Sequence, residues 1–133
     1  MKVSRDGGTR WEPIGRLPGG PRGEIAIDPA NPAFMLVGAG ERTCRSVDGG
    51  KTWSRCEGPL GSAIAFHIDR TSPPDRRVCF AGTSRGVWRS DDGGRNWRVV
   101  SWDRTLIGRA GFYIRIAVNP ENADEVVVMN SSS

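Results

Sequence analysis

The chain has 133 residues, and its 19 Lys and Arg against 15 Asp and Glu give a net charge of +4. Hydrophobic residues at 37% and charged residues at 26% exclude extensive disorder and predict one ordinary domain with its own core. No apolar run approaches the roughly 20 residues of a spanning helix, so neither a membrane anchor nor a membrane partner is expected. Eighteen Gly and nine Pro favour many turns over long helices.

The basic residues and the cysteines predict no nucleic-acid or metal site. Arginines such as Arg16, Arg45 and Arg70 are scattered singly, whereas a surface that follows phosphates needs clustered charge, so no nucleic-acid partner is expected. The three cysteines have no CxxC spacing, so neither a zinc site nor a disulfide framework follows, and no cofactor is expected. Residues 1–8 contain no secretory signal. The compartment stays open; a complete chain of this kind is expected in the cytoplasm.

An eight-residue motif organises the chain and occurs three times, at 4–11, 46–53 and 90–97. All copies read SxDGGxxW, and their tryptophans are 42 and 44 residues apart. A second element, beginning at Ile25 and Ile116, reads as an Ile-Ala-Ile-Asp-Pro type of segment, with a more divergent copy at Phe66. Self-similarity at a fixed period of 20–50 residues is typical of repeat architectures, so we predict stacked repeats.

Each period predicts four short strands, A to D, separated by turn residues. In chain order these are a remnant of C at 2–4, D at 11–14, then A to D at 24–28, 34–37, 43–47 and 53–56, A to D at 64–69, 78–81, 87–90 and 97–100, and finally A and B at 113–119 and 126–129. Four strands in about 43 residues match a propeller blade. The sequence therefore predicts an all-β partial β-propeller of four-stranded antiparallel blades, with about three blade equivalents over 1–133: a blade remnant at 1–15, blades at 24–57 and 63–100, and a half blade at 112–130.

The motif itself predicts a tight turn between strands C and D. Its paired glycines supply positive φ angles, and its Asp and Ser side chains accept hydrogen bonds from turn N–H groups. Its Trp supplies a large apolar surface at the start of strand D. The alternative roles, calcium ligand or general acid, need side chains that converge, whereas equivalent positions on successive blades lie far apart. We therefore interpret the motif residues as structural: Ser4, Asp6, Gly8, Trp11, Ser46, Asp48, Gly50, Trp53, Ser90, Asp92, Gly94 and Trp97.

SxDGGxxW resembles the Asp box, or BNR repeat, of sialidases, sortilin-type receptor domains, xyloglucan-cleaving glycoside hydrolases and photosystem II assembly factors. The segments 25–32 and 86–94 resemble bacterial sialidase-superfamily propellers grouped with YVTN and WD40-like repeats. The resemblance covers all three periods and implies Asp boxes that face away from any active centre. It carries over no catalytic residue: Tyr113 lies in no motif of a sialidase nucleophile, and the facing carboxylates of a xyloglucan-cleaving site are not both located here.

The blade count leaves three arrangements open. Propellers have typically four or more blades, so at about 43 residues per blade a closed ring needs roughly 170 residues. The chain is then part of a longer propeller, or a subunit whose A and B strands pair with the C and D strands of a second copy in a six-blade ring, or an open arc with exposed edges. Further blades or a second copy are accordingly expected partners.

Function is expected on the face opposite the motif turns, where the B–C and D–A connections lie. From Trp97 to Asn119 is 22 residues, against 16 from Trp53 to Asp69, so the third D–A connection is enlarged. An indole there can stack on a sugar while charged neighbours bond its hydroxyls. The alternative is that Leu106 and Ile107 pack this loop and its charges are merely solvated. The candidate ligand-face residues are Trp102, Asp103, Arg104 and Arg109.

Three further side chains have two interpretations each. His67 lies on an inner strand, where it either lines a central channel or is half-buried and hydrogen-bonded. Cys44 and Cys56 flank one hairpin, either as free thiols or as a cross-strand disulfide. For the whole segment we predict a binding or scaffold module for carbohydrate or protein. The alternative is part of a sialidase-superfamily or xyloglucanase-like glycoside hydrolase with catalytic carboxylates partly outside this chain.

Overall fold

The computed structural model describes residues 1–20, 23–103 and 115–129. Within these ranges the chain is all β, apart from one turn of 3-10 helix at Pro74–Arg76. No helix in them has the length and apolar character needed to cross a bilayer. The strands are β1 (Lys2–Val3), β2 (Glu12–Pro13), β3 (Ile25–Ile27), β4 (Met35–Ala39), β5 (Arg42–Ser46), β6 (Ser54–Arg55), β7 (Ala63–Asp69), β8 (Val78–Thr83), β9 (Gly86–Ser90), β10 (Arg98–Ser101), β11 (Arg115–Asn119) and β12 (Asn122–Met129).

The strands form four antiparallel sheets in which chain neighbours pair. We call them blade 1 (β1 and β2), blade 2 (β3 to β6), blade 3 (β7 to β10) and blade 4 (β11 and β12). Blades 2 and 3 are four-stranded meanders, and blades 1 and 4 are two-stranded in the described part of the chain. The first strand of blade 2 contacts the first strand of blade 3, which contacts the first strand of blade 4. This is the radial order of a partial propeller, and the predicted fold is confirmed.

The strand registers place equivalent residues of the blades in the same positions. The motif serine of the third strand lies opposite an equivalent residue of the second strand in both blades. The pairs are Met35–Ser46 in blade 2 and Cys79–Ser90 in blade 3. The pairs that share one position on the first two strands are Ile27–Met35, Ile68–Cys79 and Val118–Val126. Surroundings at equivalent positions can therefore be compared directly between blades.

The core lies between blades, because the central strands are buried on both faces. Successive side chains of a strand point to opposite faces. Leu36 packs toward blade 3 in a cluster with Phe66 and Ile68, whereas Met35 and Val37 pack toward blade 1 in a second cluster. All five residues of β4 are buried. This explains why the B strands read as continuous apolar runs rather than as alternating patterns.

A buried ion pair joins blades 2 and 3. Arg77 Nε donates to Asp28 Oδ2 at 2.6 Å, and the two side chains are 3% and 0% exposed. Two further atoms of the pair are also bonded: Asp28 Oδ1 accepts from the Ala30 amide, and Arg77 Nη1 donates to the carbonyls of Arg70 and Ser72. A buried pair needs such additional bonds to offset its desolvation. The two turns that carry it are therefore held in one relative position.

Candidate functional site

The three motif turns contain a closed network of short-range hydrogen bonds. In blade 2, Ser46 Oγ accepts from the Gly50 amide at 2.9 Å and from the Asp48 amide at 3.3 Å, and it donates to Asp48 Oδ1 at 2.8 Å. Asp48 Oδ1 accepts from the Thr52 amide at 2.9 Å, and Asp48 Oδ2 accepts from the Thr52 hydroxyl at 2.5 Å. The serine and the aspartate thus satisfy three amides of the turn, those of Asp48, Gly50 and Thr52.

The turns of blades 1 and 3 repeat this network. The serine oxygen accepts from the second glycine amide at 2.7 Å in blade 1 and 2.9 Å in blade 3. The aspartate accepts from the amide four residues on at 2.9 and 3.0 Å. All six paired glycines have φ between 70° and 93°, the left-handed region that glycine adopts without a steric cost. The residues involved are those the motif predicts: Ser4, Asp6, Gly8, Ser90, Asp92 and Gly94.

These hydrogen bonds keep the motif carboxylates ionised. The Thr52 hydroxyl and amide, with Ser46, lower the pKa of Asp48 to about 2. The Arg10 amide and Ser4 lower the pKa of Asp6. At Asp92 burial raises the pKa, but the bonds from Asn96 and Ser90 outweigh it. Carboxylates that are ionised and saturated by their own turns are poor proton donors. Among the described residues, no three His, Cys, Asp or Glu side chains come together as a metal site.

The motif tryptophans differ in their surroundings. Trp11 and Trp97 donate from Nε1 to the carbonyl of the second glycine of their own turn, at 2.9 and 3.1 Å. In blade 2 that carbonyl, on Gly50, instead accepts the Gly15 amide of the preceding blade at 2.9 Å. Trp53 Nε1 has no partner within the described residues. A Cβ at Gly15 would overlap the Lys51 carbonyl, so only glycine allows this close approach between blades.

The B–C turns and the D–A loops meet on the side away from the motif turns, and we call this side the loop face. Thr83 Oγ1 donates to the Leu60 carbonyl at 2.9 Å, and the Ser84 amide donates to the Ser62 carbonyl at 3.2 Å. Ser62 Oγ donates to Glu41 Oε1 at 3.4 Å. Connections from blades 2 and 3 thus form one continuous surface.

Trp102 projects from this surface and is 60% exposed. One edge of it is anchored: its ring centroid lies 5.8 Å from that of Trp88, with the planes at 74°. A Cβ on Gly86, the first residue of β9, would lie 3.5 Å from the indole. The Asp103 amide donates to Ser101 Oγ at 3.2 Å. Arg104 and Arg109 lie outside the described residues.

Sequence reasoning missed three exposed residues of the loop face, Glu41, Leu60 and Arg85. Arg85 Nη2 lies 3.9 Å from Glu41 Oε2, and the two side chains are 62% and 67% exposed. Leu60 is 38% exposed beside them. These residues were missed because the candidate ligand-face residues were chosen by loop length, which favours only the connection after blade 3. Their positions could have identified them, because the B–C turns and the D–A loops were predicted to lie on the functional face.

His67 and the cysteines are half-buried or buried rather than poised for chemistry. Burial lowers the pKa of His67, which Asp69 partly offsets. The three cysteines are free and buried, so Cys44 and Cys56 form no disulfide. Burial raises the pKa of Cys56 to about 12 and raises that of Cys79. Thiols that stay protonated are weak nucleophiles.

Comparisons with known proteins agree with this geometry. Residues 45–55 match the family model of the BNR/Asp-box repeat. No curated protein matches the chain. A solved structure described as an ancestral GH74 enzyme is similar with a TM-score of 0.63 and 17% identity, over 89% of this chain and 17% of that one. The GH74 enzyme of Niastella koreensis is similar with a TM-score of 0.57 and 21% identity, over 75% of this chain and 16% of that one.

The chain therefore spans about a sixth of the length of either structure and shares their fold. The motif copy at 46–53 matches the Asp-box repeat, the copies at 4–11 and 90–97 share its sequence pattern and its hydrogen bonds, and the chain is a partial β-propeller.

Proposed function

We propose that this chain is a carbohydrate-binding module whose loop face takes up a sugar chain on Trp102. The observation that carries the proposal is the indole itself, which is 60% exposed although its edge is anchored on Trp88. An anchored indole offers a flat apolar face at a small cost in conformational entropy. A solvated loop would have no need to hold a large apolar ring in contact with water.

Two exposed polar side chains of the loop face are our candidates for the second part of a sugar site. Arg85 and Glu41 extend into solvent from the B–C turns of two neighbouring blades. Because both are exposed, their attraction is weak and either group can exchange it for a sugar hydroxyl. Sites for small polar ligands combine an apolar wall with a few such groups. The Asp-box carboxylates do not compete for this role, since their own turns occupy them.

A glycan array followed by calorimetry tests the proposal. The parent should bind an oligosaccharide, and Trp102→Ala should weaken binding about tenfold, the loss of roughly 1.4 kcal/mol of stacking. Trp102→Phe should restore most of the affinity because it keeps a flat ring. Val47→Ala is the control, since Val47 is equally exposed, at 60%, but lies in an Asp-box turn. Unchanged affinity in Trp102→Ala contradicts the proposal, and a peptide ligand in place of a glycan assigns the same face to protein.

The second candidate is a contribution to a glycoside hydrolase, which the likeness to two GH74 enzymes favours. Glu41 and Asp103 are carboxylates of the loop face, and hydrolysis needs two that flank one glycosidic bond. Incubating the chain with xyloglucan oligosaccharides separates the candidates. Release of shorter products identifies the hydrolase, whereas binding without products supports the module.

A further inference from the structure

The inner strands of blades 2 and 3 carry equivalent apolar residues with very different exposure. In blade 3 these are Phe66 and Ile68, which are 9% and 8% exposed because Leu36 of blade 2 covers them. In blade 2 the same positions hold Ile25 and Ile27, which are 44% and 50% exposed. The residue types match, so the difference comes from the neighbour. Blade 1 contributes only β1 and β2 to the described structure, and neither is an inner strand.

Blade 4, at the other end of the arc from blade 1, exposes a side chain of the kind that covers this surface in blade 3. Val127 lies opposite Ala117 in blade 4, as Leu36 lies opposite Ala26 in blade 2. Leu36 is completely buried against blade 3, whereas Val127 is 56% exposed. Blade 4 thus presents the covering side chain, and blade 2 presents the surface that such a side chain covers.

The outer strands repeat this complementarity. The residue three positions after each motif tryptophan faces the next blade. Ile14 packs on the cluster that contains Trp53, and Cys56 interacts with Trp97. Val100 is the equivalent of Ile14 and Cys56 at the end of blade 3, and it is 43% exposed. Trp11 is the motif tryptophan of blade 1, and it is 59% exposed.

A groove lies where inner strands would complete blade 1. Its volume is about 670 Å³, and its apolar lining includes Val3, Ile27 and Met35. Within the described residues β1 pairs only with β2, and β12 pairs only with β11. Each strand therefore has a free hydrogen-bonding edge beside an uncovered apolar face, the combination that templates strand addition.

We infer that a second copy of this chain occupies the groove, with its β12 beside β1, so that two chains close a six-blade ring. The occupant is assigned by the chain's own contacts. At the interface between blades 2 and 3, Leu36 covers Phe66 and Ile68, the counterparts of Ile25 and Ile27. Blade 4 carries Val127 at the position of Leu36. The register follows from the pairs Met35–Ser46 and Cys79–Ser90. It places Ser4 opposite the partner's Val126 and Val3 opposite the partner's Val127. A twofold axis repeats the contact, and no strand edge of this kind remains free.

Mixing two single variants tests the inference. The parent should have twice its 14.5 kDa chain mass by light scattering. Ile27→Glu and Val127→Lys should each be monomers, because a charge enters both symmetric interfaces. Their equimolar mixture should recover the dimer, since one interface is then unmutated and the other pairs Lys with Glu. Val47→Glu is the control and should stay dimeric, because this exposed residue lies in an Asp-box turn. A variant that merely unfolds would not recover on mixing.

A cysteine pair tests the register independently. In the double variant Val3→Cys, Val127→Cys, mild oxidation should link two chains, because cross-strand neighbours are within disulfide reach. A parent chain that is monomeric, or that forms open-ended polymers, overturns the inference. So does a failure of the cysteine pair to link two chains.

Discussion

At the scale of single residues, the Asp-box serine is the centre of each turn. Ser46 and Ser90 are 2% and 1% exposed, and each accepts two amides while donating to its aspartate. The same three bonds exist around Ser4, where the turn is exposed. The same hydrogen bonds are therefore present in a buried and in an exposed turn. Comparing the same substitution in the two turns measures the free-energy cost of leaving a buried amide without an acceptor.

Ser90→Ala should lower the free energy of unfolding by about 1–3 kcal/mol, because the buried Gly94 amide loses its acceptor. Ser4→Ala is the matched control and should cost clearly less, since water reaches the Gly8 amide. Urea denaturation monitored by tryptophan fluorescence measures both. Equal losses in the two variants would contradict this account.

Asp48 makes stability depend on pH in the acid range. Its pKa in the folded protein is about 2, below the ordinary value of 3.8. A lowered folded-state pKa contributes stability that is fully present above about pH 4 and is lost as the pH falls toward 2. Asp48→Asn should therefore be less stable than the parent at pH 7, with a smaller further loss between pH 4 and 2. Thermal unfolding across this range checks the slope, and parallel curves would refute the assignment.

At the scale of elements, neighbouring blades are joined by few but specific polar contacts. The Asp28–Arg77 pair is buried at 2.6 Å, whereas Glu41–Arg85 is exposed at 3.9 Å. Both join blade 2 to blade 3, one near the Asp-box turns and one on the loop face. Their difference in burial predicts a large difference in energy.

Arg77→Met should destabilise the chain by about 3–5 kcal/mol, because Asp28 then remains as an unpaired buried charge. Adding Asp28→Asn should recover part of that loss, since the charge is removed while Oδ1 still accepts the Ala30 amide. Arg85→Ala is the control, with an expected loss of at most about 1 kcal/mol. Additive losses in the double variant would show that the pair is not coupled.

At the scale of the whole molecule, stability should fall from the middle of the arc to its ends. The central strands β4 and β8 have buried side chains on both faces. By contrast, both residues of β2 are exposed, and β1 and much of β11 and β12 have one exposed face. Local opening free energies follow buried contact and the protection of backbone hydrogen bonds. The two-chain ring would add such protection at the ends alone.

Hydrogen exchange by mass spectrometry should therefore find the slowest amides in β4 and β8 and the fastest in β1 and β12. Raising the protein concentration should slow exchange in β1 and β12, where the second copy docks, and leave β4 unchanged. If exchange in β1 and β12 does not depend on protein concentration, the two-chain ring is contradicted. The predicted difference in exchange rate between the central and the terminal strands is unaffected by that result.

The sequence by itself determined the repeat, the order of the strands and the chemistry of the turns. Ser, Asp and paired Gly act within four residues of one another, so local geometry decides their bonds wherever the turn lies. Strand D of the first two blades was predicted longer than Glu12–Pro13 and Ser54–Arg55, since the motif does not record where pairing with strand C ends.

Only the tertiary structure decided the contacts between blades. Arg77 and Asp28 are 49 residues apart, and the Gly15 amide reaches Gly50 of the next blade. The loop face combines Glu41, Arg85 and Trp102 from three separate connections. Such residues follow no periodic pattern, because they become neighbours only when stacked sheets bring different repeats together. The uneven exposure of Ile27 and Ile68 has the same origin: identical positions in the repeat are buried or exposed according to the blade that lies beside them.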